Sequence, residues 1–285
     1  MLSADEFAFL QRLLRERSGL ALSEDKEYLV TTRLKPVMED HGLATLPALV
    51  ARLRAQPNGE ITHQVVEAMT TNESLFFRDA KPFEALTQLM LPRLAAVRGA
   101  RPIRIWCAAA STGQEPYSIA IILEENAGRF GSTPVEILAT DLSRAALRRA
   151  RLGEYTAFEV GRGMPKHYLE RYFKKTARNH YAIAPKIRSR VTFEVRNLLE
   201  PYDRLGQFDI VFCRNVLIYF DRPTKQDVLE RLAQIIPQDG YLVLGGPETT
   251  LGLTSKFVRH GEWRNVYTRA VSSPAGSLAT DRICA

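Results

Sequence analysis

Over the first 75 residues, apolar side chains recur at helical spacing and no strand-like run breaks them. Phe7, Leu10, Leu13 and Leu14 form one stripe, and Leu29, Leu34, Val37 and Met38 form a second. Ser23, placed before the charged turn EDKE, reads as a helix N-cap. A third helix is predicted around residues 47 to 55, opening at Pro47 and stopping before Pro57 and Gly59. The pattern predicts a small all-α domain over 1–75, followed by an interdomain linker and helix over 76–99.

From residue 100 the period changes. Short apolar runs, IRIWCAAA (103–110), VEILATD (135–141), VTFEV (191–195), FDIVFC (208–213) and YLVLGG (241–246), read as strands. Between them QEPYSIAIILEE (114–125), SRAALRRAR (143–151) and residues 223–236 read as helices. Continuous apolar strands alternating with helices predict an α/β domain over 100–270 whose mostly parallel sheet is covered on both faces. Residues 154–190, basic and aromatic, break the rhythm and read as an inserted helix and hairpin. Small and polar residues over 271–285 predict a disordered tail.

Composition changes this picture little. A chain of 285 residues with 45% apolar and 25% charged side chains is an ordinary globular mixture, which excludes a disordered or fibrous protein. Cys107, Cys213 and Cys284 are too few for a disulfide framework and share no metal-ligand spacing, so no metal is expected. The first 20 residues show no signal peptide, and no window approaches the ~20 apolar residues of a membrane span. A cytoplasmic location without membrane insertion is the expectation. Charge says more. Between residues 162 and 190 nine basic residues face Glu170 alone, a local +8 that exceeds the +7 of the whole chain. Such a patch can steer an acidic partner or remain a solvated face, and both readings stand at this level.

Candidate chemistry gathers at the strand ends. In WCAAASTGQEPYS, small residues after a strand let a ligand approach the backbone at a helix N-terminus. This is where open α/β sheets bind nucleotide-type ligands. The run is not GxGxxG, and no lysine follows the glycine, so a phosphate cradle is excluded. Glu115 would repel a pyrophosphate but could accept a hydrogen bond from an ammonium group, which favours S-adenosylmethionine. Asp141, ending the second strand, could accept from ribose hydroxyls or cap the next helix, a task for which Ser143 competes. Arg214 and Asn215 end a buried strand, where unpaired polar groups are costly. Tyr219 follows Asn215 by one turn if a helix starts there.

TTNESLFFRD, WCAAASTGQEPYSIAI, ILATDLS, the NLL of VRNLLE and FDIVFCRNVLIYFD occur in that order. Together the chain resembles the CheR-type chemotaxis receptor methyltransferases over roughly residues 5 to 270. The resemblance implies a Rossmann-like class I methyltransferase domain with a small inserted basic subdomain, preceded by a small all-α domain. It implies methyl transfer from S-adenosylmethionine to glutamate side chains of chemoreceptor cytoplasmic helices, with S-adenosylhomocysteine as product. Asn72, Ser74, Arg78, Glu115, Asp141, Asn197, Leu198, Arg214 and Asn215 would line the cofactor site, and Arg78 and Tyr219 would sit closest to the transferred methyl. Lys26 and Arg33 match the family's basic receptor-facing helix. The run Gly245-Gly246-Pro247-Glu248 departs from a usual Gly-His-Ser-Glu-like run and receives no role. A monomer that binds no nucleic acid is expected. Two other readings remain: a methyltransferase acting on RNA with 162–190 as its footprint, and a cofactor-binding regulatory module without turnover.

Overall fold

Ser3 starts the first helix through a capping box with Glu6, and Gly19, in the left-handed region, stops it. The computed structural model describes residues 2–271. Four helices, α1 (Ala4–Ser18), α2 (Glu27–Asp40), α3 (Leu46–Ala55) and α4 (Glu60–Met69), enclose an apolar centre of Leu10, Leu34, Leu49, Leu53 and Val65. The expected cap at Ser23 is not made. A 3-10 turn over Glu24–Lys26 comes first, and the Ser23 side chain accepts no capping hydrogen bond. The third helix begins at Leu46, with Thr45 accepting from the Ala48 N–H.

The linker is helical: α5 (Lys81–Ala85), a π turn over Leu86–Met90, and α6 (Leu91–Arg98). The α/β part then runs β1 (Ile103–Ala108), α7 (Gln114–Glu125), β2 (Val135–Asp141) and α8 (Arg144–Leu152). After an insert, β6 (Val191–Val195), β7 (Ile210–Cys213), α12 (Arg222–Ile235), β8 (Tyr241–Leu244), β9 (Phe257–Arg259) and β10 (Val266–Arg269) complete it. The sheet order is β6-β2-β1-β7-β8-β10-β9. Its first five strands are parallel, while β10 and β9 are antiparallel.

Two-residue periodicity divides the apolar strands between two cores. Ile103, Ile105, Cys107, Phe212 and Val243 face one side, packed with Ile119 of α7 and Leu94 of α6. Trp106, Ala108, Val211, Cys213 and Leu242 face the other, packed with Val228 and Leu232 of α12. That double burial is why these strands read as continuous apolar runs rather than alternating ones. The chain adds β2 and β6 on one side of β1, then crosses to β7 and β8 on the other, so strand order reverses beside β1. A crevice opens at such a reversal, outside the carboxyl ends of the strands.

The insert is larger than a helix and hairpin. It holds β3 (Glu154–Tyr155), α9 (Ala157–Gly161), α10 (Lys166–Tyr172), β4 (Phe173–Lys175), β5 (Tyr181–Ile183) and α11 (Pro185–Arg188), with a three-stranded sheet in the order β3-β5-β4. A two-residue strand carries too little periodicity to be read from sequence. Much of the basic patch anchors this subdomain: Lys186 and Arg190 pair with Glu124, Arg171 pairs with Glu125, and Arg162 reaches Glu73. Lys174, Lys175, Arg178 and Arg188 are exposed and have no carboxylate partner among the described residues. No helix among the described residues is long and apolar enough to cross a membrane. Apart from Val271, the tail expected to be disordered lies outside the described residues.

Candidate active site

The carboxyl ends of β1, β2, β6 and β7 meet the segment after α4 around a solvent-open cleft. Asn72, Ser74, Arg78, Glu115, Asp141, Asn197, Leu198, Arg214, Asn215 and Tyr219 all line it. Residues far apart in the chain share one cavity because each follows a strand end or the interdomain segment.

The loop after β1 is bent to meet β2. Ala109 and Ser111 take left-handed backbone angles (φ 63° and 52°), and the Ser111 N–H donates to Asp141 Oδ2 at 2.7 Å. The Ser143 N–H donates to Asp141 Oδ1 at 2.8 Å. Ser143 Oγ caps α8 by accepting from the Ala146 N–H at 3.1 Å, so capping does not occupy Asp141. Burial pushes the Asp141 carboxyl above its ordinary pKa, opposed by these N–H bonds. Each oxygen keeps acceptor capacity for a ligand. Gly113 opens α7 at φ 94°, where a Cβ would stand 2.9 Å from that of Ala150. Close packing of α7 on α8 therefore requires glycine.

Arg214 is the hub of the floor. Its side chain is 2% exposed and bonds Glu115 and Asp79, each at 2.7 Å, together with the Arg78 carbonyl at 2.9 Å. Its Nε is buried without a partner. Burial raises the Glu115 pKa, and the Arg214 cation opposes that rise. Glu115 is thus a buried carboxylate that already holds one cation.

The interdomain segment is tied at several points. Arg33 donates to the carbonyls of Met69 and Thr70 at 2.6 and 3.2 Å and to Thr71 Oγ1 at 3.0 Å. That guanidinium, matched by resemblance to a receptor-facing helix, is therefore consumed in holding the segment; Lys26 remains exposed. Ser111 Oγ donates to the Asn72 carbonyl at 2.9 Å, and the Phe77 N–H donates to Ser118 Oγ at 3.0 Å. Phe76 is fully buried, edge-on to Tyr155 and Phe173. Between these anchors Phe77, Asp79 and Ala80 hold φ of 50°, 68° and 39°, a strained run of the kind found at functional sites. Arg78 sits within it, half-buried, and its guanidinium makes no hydrogen bond or ion pair among the described residues.

Asn197 turns partly inward: its amide donates to the Arg17 carbonyl at 2.7 Å, and its Oδ1 accepts from the Leu199 N–H at 3.0 Å. Leu198 is 9% exposed and belongs to the apolar core. No α-helix starts after Asn215; the chain makes only a 3-10 turn, Leu217–Tyr219. Asn215 is left-handed at φ 59°, which stops an α-helix from starting there. The Ala21 N–H donates to the Tyr219 carbonyl at 2.8 Å, bringing the all-α domain against this turn, while the Tyr219 hydroxyl bonds no other described residue. Sequence reading left Asp79, Ser111 and Glu248 unassigned. Only for Glu248 was there a signal, a lone acid in a run of small residues.

The family model described as "CheR methyltransferase, SAM binding domain" matches residues 72–264, and "CheR methyltransferase, all-alpha domain" matches 5–70. "Chemotaxis protein methyltransferase Cher2" of Pseudomonas putida is 43% identical over 256 residues, covering 88% of this chain and 93% of that protein. "Chemotaxis protein methyltransferase" of Vibrio parahaemolyticus is 41% identical, covering 90% and 93%. The Salmonella typhimurium protein of the same name is 34% identical, covering 92% and 89%.

Proposed function

This chain belongs to the CheR methyltransferase family, and we propose that it methylates glutamate side chains on the cytoplasmic helices of chemoreceptors. Its cofactor is S-adenosylmethionine. The cleft suits that molecule: it offers carboxylate acceptors, Glu115 and Asp141, to an ammonium group and a ribose, and its one buried cation is already neutralised by two carboxylates. When bound, the cofactor supplies an electrophilic methyl group on a sulfonium.

One observation carries the substrate reading. Arg78 and Tyr219, from distant segments, line the same cleft with polar groups that no other described residue engages. In this reading Arg78 holds the incoming carboxylate and the Tyr219 hydroxyl orients it. A glutamate with a pKa of about 4.3 is already ionised at neutral pH, so no general base is needed. Catalysis is then alignment of carboxylate oxygen, methyl carbon and sulfur, which contributes on the order of 7–11 kcal/mol in favourable cases. Too firm a grip by Arg78 would stabilise the ground-state anion and slow attack. Its lack of a rigid internal partner suits a loose contact. The names of the relatives, chemotaxis protein methyltransferases, support a receptor as acceptor.

The test incubates the protein with tritiated S-adenosylmethionine and membranes holding candidate receptors. Base-labile label on a receptor band, the signature of a carboxyl methyl ester, is the expected result. Label that resists base, or that appears in RNA, would overturn the reading.

A further inference from the structure

Glu248 lies in the loop after β8, and its residue is 8% exposed. Among the described residues it makes no ion pair. Both carboxylate oxygens are instead filled by backbone N–H groups. Oε2 accepts from Asn215 at 2.8 Å and from Gly245 at 2.7 Å; Oε1 accepts from Leu217 at 2.8 Å and from Val216 at 3.0 Å. Three consecutive N–H groups converge on it because Asn215 is left-handed (φ 59°) and Val216 returns to φ −121°. This alternation makes a concave backbone anion site, here occupied by a side chain from the neighbouring strand's loop. Gly245 completes the fit. A Cβ there would stand 2.7 Å from Asn215 Nδ2 and from Glu248 Oε2, and 2.9 Å from the Asn215 nitrogen.

The clamped turn lies between the polar groups that line the cleft. Arg214 and Asn215 stand at its start, and Tyr219 follows Leu217 in the same 3-10 turn. Without the carboxylate, the N–H groups of a partly buried turn, that of Leu217 fully buried, would lose their acceptor, which favours a different backbone path. We propose that Glu248 is a positioning residue of the methyl-transfer site: its carboxylate clamps the Asn215–Leu217 backbone and so sets Arg214 and Tyr219 relative to the cofactor and the acceptor. This rests on the receptor-methylation reading for its kinetic arm only.

Glu248→Gln keeps shape and size but replaces one oxygen with an NH₂ group, so two of the four N–H donors meet a donor. Glu248→Asp keeps the charge and both oxygens on a shorter arm. Gly245→Ala leaves Glu248 intact and pushes on the turn from the other side. For each variant, S-adenosylhomocysteine affinity is measured by calorimetry and receptor-methylation kcat by label transfer, well below the melting temperature. A displacement of about 1 Å can cost on the order of a hundredfold in rate. We expect Glu248→Gln and Gly245→Ala to lose about ten- to a hundredfold in kcat, and S-adenosylhomocysteine affinity to weaken about three- to tenfold, with Glu248→Asp recovering part of both. Folded Glu248→Gln and Gly245→Ala proteins with wild-type kcat and wild-type affinity would overturn the proposal, as would a fall in melting temperature alone. If wild-type protein labels no receptor, the substrate reading fails, while the affinity arm still decides whether Glu248 shapes the site.

Discussion

Arg214→Met removes the cation from the floor of the cleft while leaving its two carboxylates. The side chains of Arg214 and Glu115 are 2% and 12% exposed, whereas Asp79 is 48% exposed. Water can therefore replace the guanidinium at Asp79, and that half of the hub contributes little to stability. Glu115 has much less access to water. Removing one partner of a buried pair costs about 3–5 kcal/mol, and the residual solvent access of Glu115 places this case near the lower end, about 3 kcal/mol. At ~2–4 °C per kcal/mol for a domain of this size, the melting temperature should fall by about 6–12 °C near pH 8.

The direction with pH follows from the same geometry. Burial already holds the Glu115 pKa above its ordinary value, and Arg214 opposes the rise; losing Arg214 raises it further. A carboxyl whose folded pKa lies above its unfolded value of about 4.3 contributes stability that is fully present below that value and lost as pH rises through the folded pKa. The deficit of Arg214→Met should therefore shrink as pH falls from 8 toward 4.5. Melting curves of wild type, Arg214→Met and Arg214→Met with Glu115→Gln, taken across that range, make the comparison. The double variant should recover much of the loss, since the only carboxylate of the hub left without its cation is the half-exposed Asp79. A deficit under about 2 °C at pH 8, or one that grows toward acid, would refute the reasoning.

Arg78→Ala should reduce methylation almost to background, and Arg78→Lys should recover little because the planar fork is lost; near-normal turnover with lysine would reassign Arg78 to simple charge. Tyr219→Phe should lower kcat more than it weakens S-adenosylhomocysteine binding, and calorimetry beside label transfer separates the two. Asp141→Ala should weaken S-adenosylhomocysteine binding by roughly 1.5–3 kcal/mol, the range for hydrogen bonds to a charged group. Unchanged affinity in the folded variant would leave Asp141 as a brace between the Ser111 and Ser143 N–H groups. Reversing Lys174 and Lys175 to Glu should slow receptor methylation and flatten its salt dependence; equal rates at low salt would make the insert's unpaired cations a solvated face.

Much of the fold could be read along the chain because parallel strands buried on both faces must be apolar throughout. β2 and β6 match their predicted spans, and α7 matches its own, residue for residue. Glu115, Asp141, Arg214, Asn215 and Tyr219 could be named from local pattern because they follow strand ends, where polar groups collect; Asn72, Ser74, Arg78, Asn197 and Leu198 came from the family resemblance alone. Their convergence on one cleft follows from the sheet order, which no local pattern contains.

Other features depend on partners far along the chain. The basic insert reads as one patch, yet Glu73, Glu124 and Glu125 neutralise part of it from outside the insert. Arg33 reads as a surface cation until the end of α4 folds beneath it. Glu248 reads as an acid in a loop, because a carboxylate that binds backbone N–H groups more than thirty residues away obeys no periodicity and requires no particular side chain on the other end. Hydrophobic burial leaves a repeating signal because every residue of an element takes part in it. A hydrogen bond between a side chain and a distant backbone group is a single event, and tertiary packing alone brings its two ends together.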